Sequence, residues 1–177
     1  MNKYTSSGQI ITFYSYKGGT GRSMALANVA CLLARDLKKE KILMIDWDLE
    51  APGLHQYFHE NLKHTQNKTN SLGLIDLFYE IRERLGKENY VDELPNSFFH
   101  DLHINNYLLD TDIPFLQLLP AGQYDDMYST RVNAFDWKNF FDKYPYFISQ
   151  FAEYLREEYK FVLIDSRTGY TDISGIC

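Results

Sequence analysis

The feature that most narrows what this chain can fold into is the run from Gln9 to Asp46. Residues 9–15 are rich in β-branched and aromatic side chains and stop at a glycine-rich loop, the signature of a buried strand. Residues 24–37 are rich in Ala and Leu and read as a helix, with Lys38, Lys39 and Lys41 near its end, where cations suit the helix dipole. Residues 41–46 form a second apolar run and a second buried strand. Strand, glycine loop, helix and strand at this length make a βαβ unit, and such units build parallel sheets flanked by helices.

The rest of the chain supplies further elements. Leu74, Leu77, Phe78, Ile81 and Leu85 recur at helical spacing within residues 72–85. Residues 115–119 read as a strand ended by Pro120-Ala121-Gly122. Residues 136–158 read as helix, interrupted at Tyr144-Pro145, and residues 160–165 as another buried strand. Residues 61–70 are polar and read as a loop, while residues 86–106 carry no assignable pattern. Three apolar strands run into polar residues at their carboxyl ends, at Ser15 to Lys17, at Asp46 to Asp48 and at Asp165. Ligands of open parallel sheets bind beyond those ends.

Composition removes several function classes. The 177 residues suit one domain, taken here as 1–177. A formal net charge of -6 argues against broad nucleic-acid binding. No apolar run approaches the roughly 20 residues of a membrane helix, and Met1 to Thr5 lack a signal peptide's apolar core. The segment therefore carries no direct nucleic-acid or membrane signal, and a cytoplasmic location is expected. Cys31 reads as a small buried hydrophobe, and Cys177 belongs to no metal-ligand spacing. The pair His55 and His59 reads as structural, and the abundant aromatics as core packing.

The loop Lys17-Gly18-Gly19-Thr20-Gly21-Arg22-Ser23 has the makings of a phosphate site. Glycines let successive backbone N–H groups point inward, and the helix that follows adds free N–H groups at its positive end. The bland reading, a glycine-rich turn between strand and helix, explains neither the flanking basic residues nor Ser23. The common motif GxxxxGK[ST] is not met, because Tyr16 and Arg22 stand where its first Gly and its Lys would be. The loop instead resembles the deviant Walker A pattern KGGxGK[ST] of MinD/ParA-type ATPases.

That resemblance implies a three-layer P-loop fold binding ATP and Mg²⁺ through residues 17–24, Lys17 to Met24. It implies that Lys17 reaches the phosphates held by the other subunit of an ATP-dependent homodimer. Ser23 would bind Mg²⁺. Arg22 keeps the charge of the usual lysine and can fork onto two oxygens, yet it cannot act as the same point charge, which bears on hydrolysis.

Asp46-Trp47-Asp48 resembles the family's second signature, an apolar run ending in Asp-x-Asp. Alternation puts both acids on one side of an extended chain. By resemblance Asp48 orients the attacking water and Asp46 supports the magnesium shell. The plain alternative is that both acids end a strand in a solvated loop. Asp165 after Phe161 to Ile164 fits the Walker B pattern, whose carboxylate holds Mg²⁺. Ser166 to Gly169 would sense the terminal phosphate, with Arg167 either a phosphate contact or a surface arginine. Leu118 to Gly122 resembles the strand end preceding Walker B in MinD-like proteins and bacterial tyrosine kinases.

Members of this family continue with further strands, so a sheet incomplete at its C-terminal side is expected, and the base-binding residues are not among these. The leading expectation is an ATPase acting as a dimerisation switch with an effector or protein partner. The alternatives are a bacterial Walker-type tyrosine kinase and a nucleotide sensor that barely hydrolyses.

Overall fold

The structure is a computed structural model that describes residues 7–58, 62, 72–88, 93–95 and 97–167. In chain order the elements are β1 (Gln9–Phe13), α1 (Arg22–Asp36), β2 (Ile42–Asp46), α2 (Leu74–Glu88), α3 (Ser97–Asp101), β3 (Leu109–Asp110), β4 (Leu116–Leu119), α4 (Tyr128–Ala134), α5 (Trp137–Lys143), α6 (Phe147–Glu158) and β5 (Phe161–Asp165). Two 3-10 turns, Leu54–Phe58 and Ile104–Tyr107, complete the set.

The strands form one sheet in the order β1-β5-β2-β4-β3. β1, β5, β2 and β4 are parallel, as the βαβ reading requires. β3 adds one antiparallel strand at the edge of this parallel sheet, where it pairs with β4. Its connection explains this. The chain from Asp110 to Leu116 is too short for a parallel crossover, which needs a dozen residues or more. Thr111 closes the turn by donating its hydroxyl to the Leu116 carbonyl at 2.7 Å.

Alternation along the strands divides the core into two. Ile42 and Met44 of β2, with Leu116, Leu118 and Leu163, face Leu26, Ala27, Ala30 and Ala34 of α1. Leu43 and Ile45, with Leu119, Val162 and Ile164, face the layer built from α2, α4, α5 and α6. The result is the expected three layers. Both faces of β2 are dry, so its five residues are all buried and the first four read as a continuous apolar run. β1 pairs only with β5 among the described residues, and Ile11 at this edge is 38% exposed.

The second layer takes up the aromatic excess. Phe78 of α2 meets Trp47, Phe135, Trp137, Phe140 and Phe147 edge-on, with centroids 4.9 to 5.9 Å apart. Leu74, Leu77, Phe78, Ile81 and Leu85 are fully buried, as their spacing predicts. The helical stretch 136–158 breaks at Tyr144-Pro145 into α5 and α6, and Asp136 caps α5 by accepting from the Asn139 N–H at 3.0 Å. α1 ends at Asp36, so the lysines follow the helix and Arg35 alone is basic in its last turn. Cys31 is half-buried rather than buried. Residues 86–106, unreadable from pattern, contain α3 and a 3-10 turn where described. The expected 61–70 loop (Leu62 apart), His59, His64, Thr168, Gly169 and Cys177 lie outside the described residues.

The Pro120-Ala121-Gly122 turn is welded to the start of α2. Leu74 and Ile75 donate their N–H groups to the Pro120 and Ala121 carbonyls at 2.8 and 3.0 Å. A Cβ on Gly73 would lie 2.4 Å from the Pro120 oxygen and 2.5 Å from the Gly122 nitrogen, both backbone atoms. Gly73→Ala is therefore expected to destabilise by about 2–3 kcal/mol, the range for overpacking against groups that cannot step aside. Thermal unfolding checks this, and an unchanged Tm would contradict it.

Candidate functional site

Register sets the stage for the site. Phe13 of β1, Asp165 of β5 and Asp46 of β2 stand side by side across the sheet. The ladder continues one step past the strand ends, with Ser166 donating to the Phe13 carbonyl and Trp47 to the Asp165 carbonyl. The glycine loop, Asp48 and Asp165 thus emerge at one carboxyl edge, the position that open parallel sheets use for ligands.

The loop leaves β1 and enters α1 through two left-handed glycines, Gly19 at φ 73° and Gly21 at φ 80°. Only a residue without Cβ takes this conformation at no cost. Ideal Cβ positions on Gly18 and Gly19 meet no atom within 4 Å, so space is open around the loop. The first-turn amides of a helix have no intrahelical acceptor. In α1 these belong to residues 22–24, and Gly21 offers no side chain to cap them. Ser15 donates its hydroxyl to the Lys17 carbonyl at 3.0 Å, tightening the exit from β1. Lys17, Gly18, Gly19 and Thr20 are exposed, as is Met24.

Arg22 is the centre of the constellation. Its Nε donates to Asp165 Oδ1 at 2.5 Å and its Nη2 to Asp48 Oδ2 at 2.9 Å. Its Nη1 lies 3.5 Å from Ser15 Oγ. Asp165 is 1% exposed and Asp48 8% exposed. Burial opposes the guanidinium's charge, but Asp165 first and Asp48 second outweigh it and hold Arg22 above the ordinary arginine pKa.

Trp47 shows why two acids two residues apart can both stay near the site. Its ring plugs into the second layer against Phe78 at 5.5 Å and pins the chain between them. Asp48 Oδ1 accepts from the Ala51 N–H at 3.3 Å. Asp46 turns to a different set of donors. Its Oδ2 accepts from Gly53 and Leu54 N–H groups at 3.2 and 3.0 Å, while its Oδ1 is buried without a partner. Burial, with smaller contributions from Asp165 and Asp48, pushes its carboxyl up to about 7 against the pull of those two amides.

Asp46 and Asp165, expected with Ser23 around one Mg²⁺, have separate partners here. Arg22 holds Asp165, loop amides hold Asp46, and no hydrogen bond joins Ser23 to either. Among the described residues no three His, Cys, Asp or Glu side chains stand close enough to hold a metal ion. Two contacts were not foreseen. Tyr128 of α4, buried, donates its hydroxyl to the Leu49 carbonyl at 2.8 Å and so ties the loop after β2 to the second layer. Arg167 pairs with Glu50 and joins that loop to the one after β5. No local pattern marks Tyr128 or Glu50, since each matters only through a partner distant in sequence.

Known proteins share this fold. No protein-family model matches the chain. It is 36% identical over 74 residues to an uncharacterised ATP-binding protein of Methanocaldococcus jannaschii, a match covering 42% of this chain and 24% of that one. Among solved structures it is similar to the septum site-determining protein MinD of Pyrococcus horikoshii, complexed with Mg-ADP, at a TM-score of 0.59 and 20% identity. That match covers 96% of this chain and 53% of MinD. A ParA family ATPase from Chlorobium tepidum gives the same TM-score at 18% identity, over 96% of this chain and 56% of that one. The chain spans about half the length of these solved structures and about a quarter of the curated relative. Its fold is that of MinD/ParA-type P-loop ATPases, and no helix among the described residues is long and apolar enough to cross a membrane.

Proposed function

We propose that this chain is the nucleotide-binding portion of a MinD/ParA-like ATPase, residues 1–177 acting as one domain that binds ATP and Mg²⁺ in the cytoplasm and dimerises with the nucleotide. The observation that carries the reading is the meeting of Asp48, Asp165 and Arg22 directly beneath the left-handed glycine loop. The residues suit the ligands. The loop offers open space and uncommitted helix N-terminal amides for phosphate oxygens. Two buried carboxylates already neutralise a cation between them, which is the donor chemistry a divalent ion needs.

Bound Mg²⁺ would neutralise phosphate charge. The chain's own groups then have distinct tasks. The amides of Gly18 to Met24 cradle the phosphates, and Arg22 forks onto their oxygens. The Ser23 hydroxyl and Asp165 hold the cation, with Asp46 behind them. Asp48, anchored by Ala51, orients the water that attacks the terminal phosphate. Phosphoryl transfer depends chiefly on such positioning and charge neutralisation. Lys17, exposed at the rim, reaches the phosphates of a second subunit.

In size-exclusion chromatography with light scattering, the full-length protein should dimerise with ATP and Mg²⁺. Lys17→Ala should abolish that dimer while leaving the monomer folded. A Lys17→Ala protein that dimerises normally sinks the switch. A slow-turnover sensor has one observation in its favour, the engagement of Arg22 with both acids. Tight ATP binding with negligible phosphate release on the same preparation would select it.

A further inference from the structure

Arg22, which the proposed function sets on the phosphates, is engaged in the structure with Asp165 and Asp48 instead. We propose that Arg22 is a resting counter-cation for Asp48 and Asp165, so that the loop surrenders its arginine to a nucleotide only when a divalent cation held at Asp165 supplies the positive charge the two acids lose. This rests on the proposed nucleotide site and adds how that site is regulated.

The geometry requires an exchange. Arg22 uses Nε on Asp165 and Nη2 on Asp48, two edges of one planar group. Its side chain is 9% exposed, and those of Asp165 and Asp48 are 2% and 11% exposed. The guanidinium cannot leave for the phosphates without stranding two buried carboxylates, and a buried acid that loses its only counter-charge is strongly penalised. Nor does another cation stand ready among the described residues. Arg167 is engaged with Glu50, and Lys17 is exposed at the loop's rim. A divalent ion held at Asp165 removes the penalty, and Arg22 is then free to swing to the phosphates. Cation and nucleotide therefore bind with mutual reinforcement, of the reciprocal kind that linkage demands. Arginine suits this role better than lysine because its rigid fork can span two acids at once.

The coupling predicts an unusual gain of function. ADP carrying a fluorescent ribose label is titrated into the protein in EDTA and in Mg²⁺. In EDTA, Asp48→Asn should bind it about tenfold more tightly than wild type, because half the clamp is gone, with a gain inside the span typical of site coupling. Asp165→Asn removes the other half and should show the same gain, so either variant carries the test if the other does not fold. The added effect of Mg²⁺ should shrink in both. A second readout needs no change in either acid. The Arg22 Nε–H resonance, identified by its absence in Arg22→Lys, should be protected from exchange in the free protein. It should stay in place with ADP in EDTA and move only when Mg²⁺ is added. The clamp is overturned if both variants match wild type within twofold in EDTA, or if the Arg22 signal moves on ADP alone. Failure of the wild type to bind labelled ADP even with Mg²⁺ would overturn the nucleotide site itself, and the clamp with it.

Discussion

Arg22→Ala is expected to cost the protein in EDTA about 3–5 kcal/mol of unfolding free energy, the range for removing one partner of a buried ion pair. The substitution deletes no large apolar surface. Its effect comes from leaving Asp165 and Asp48 buried with no cation between them. The sign is tested by repair. Adding Asp165→Asn to Arg22→Ala removes one stranded charge and should restore more than half of the loss, whereas a packing defect would not respond. Urea unfolding at neutral pH measures both proteins. A loss below about 1 kcal/mol, the size typical of an exposed pair, would mean the trio is solvated and the geometry described here is wrong.

Asp46 gives a second large effect, set by pH. Its carboxyl is raised to about 7 in the folded protein from an ordinary value of 3.8. The folded state therefore holds a proton that the unfolded chain has released between those two values. Stability contributed by this residue is fully present below about pH 4 and is lost as pH rises towards 7, a swing on the order of a few kcal/mol. Asp46→Asn cannot ionise, so in EDTA it should be more stable than wild type at about pH 8. The difference should shrink as pH falls and vanish only below about pH 4, where Asp46 is protonated in both the folded and the unfolded chain and is nearly isosteric with Asn. The amides of Gly53 and Leu54 can still donate to the remaining oxygen. Equal stabilities at both pH values would show that the carboxylate is solvated and not buried.

Much of the frame was legible because it is written in local chemistry. The β1–α1–β2 unit follows from apolar runs punctuated by glycines, and the α5–α6 break follows from a proline. Two things escaped. β3 is two residues long and has no period to detect; its place depends on the Thr111 turn and on β4 being there to receive it. The site loops were readable as motifs, yet alternation alone would put Asp46 and Asp48 in equivalent surroundings. The structure gives them different ones, because Gly53 and Leu54 fold back to one acid while Arg22 reaches the other. Such differences arise from contacts between segments far apart in sequence, and no window of residues contains them. The same holds for Tyr128, which reaches Leu49 from the opposite layer.

The level pairing of Asp46 with Asp165 has a consequence for how this chain can change over time. Inserting or deleting one residue in either strand would turn every side chain after it to the opposite face. In β2, Leu43 and Ile45 would trade places with Ile42 and Met44, and the acid would follow them out of line. The spacing of the two carboxylates is thus inherited from the same parity that keeps both faces dry. Drift in the one is policed by the other, and the chemistry can be retuned by substitution far more readily than by any change of length.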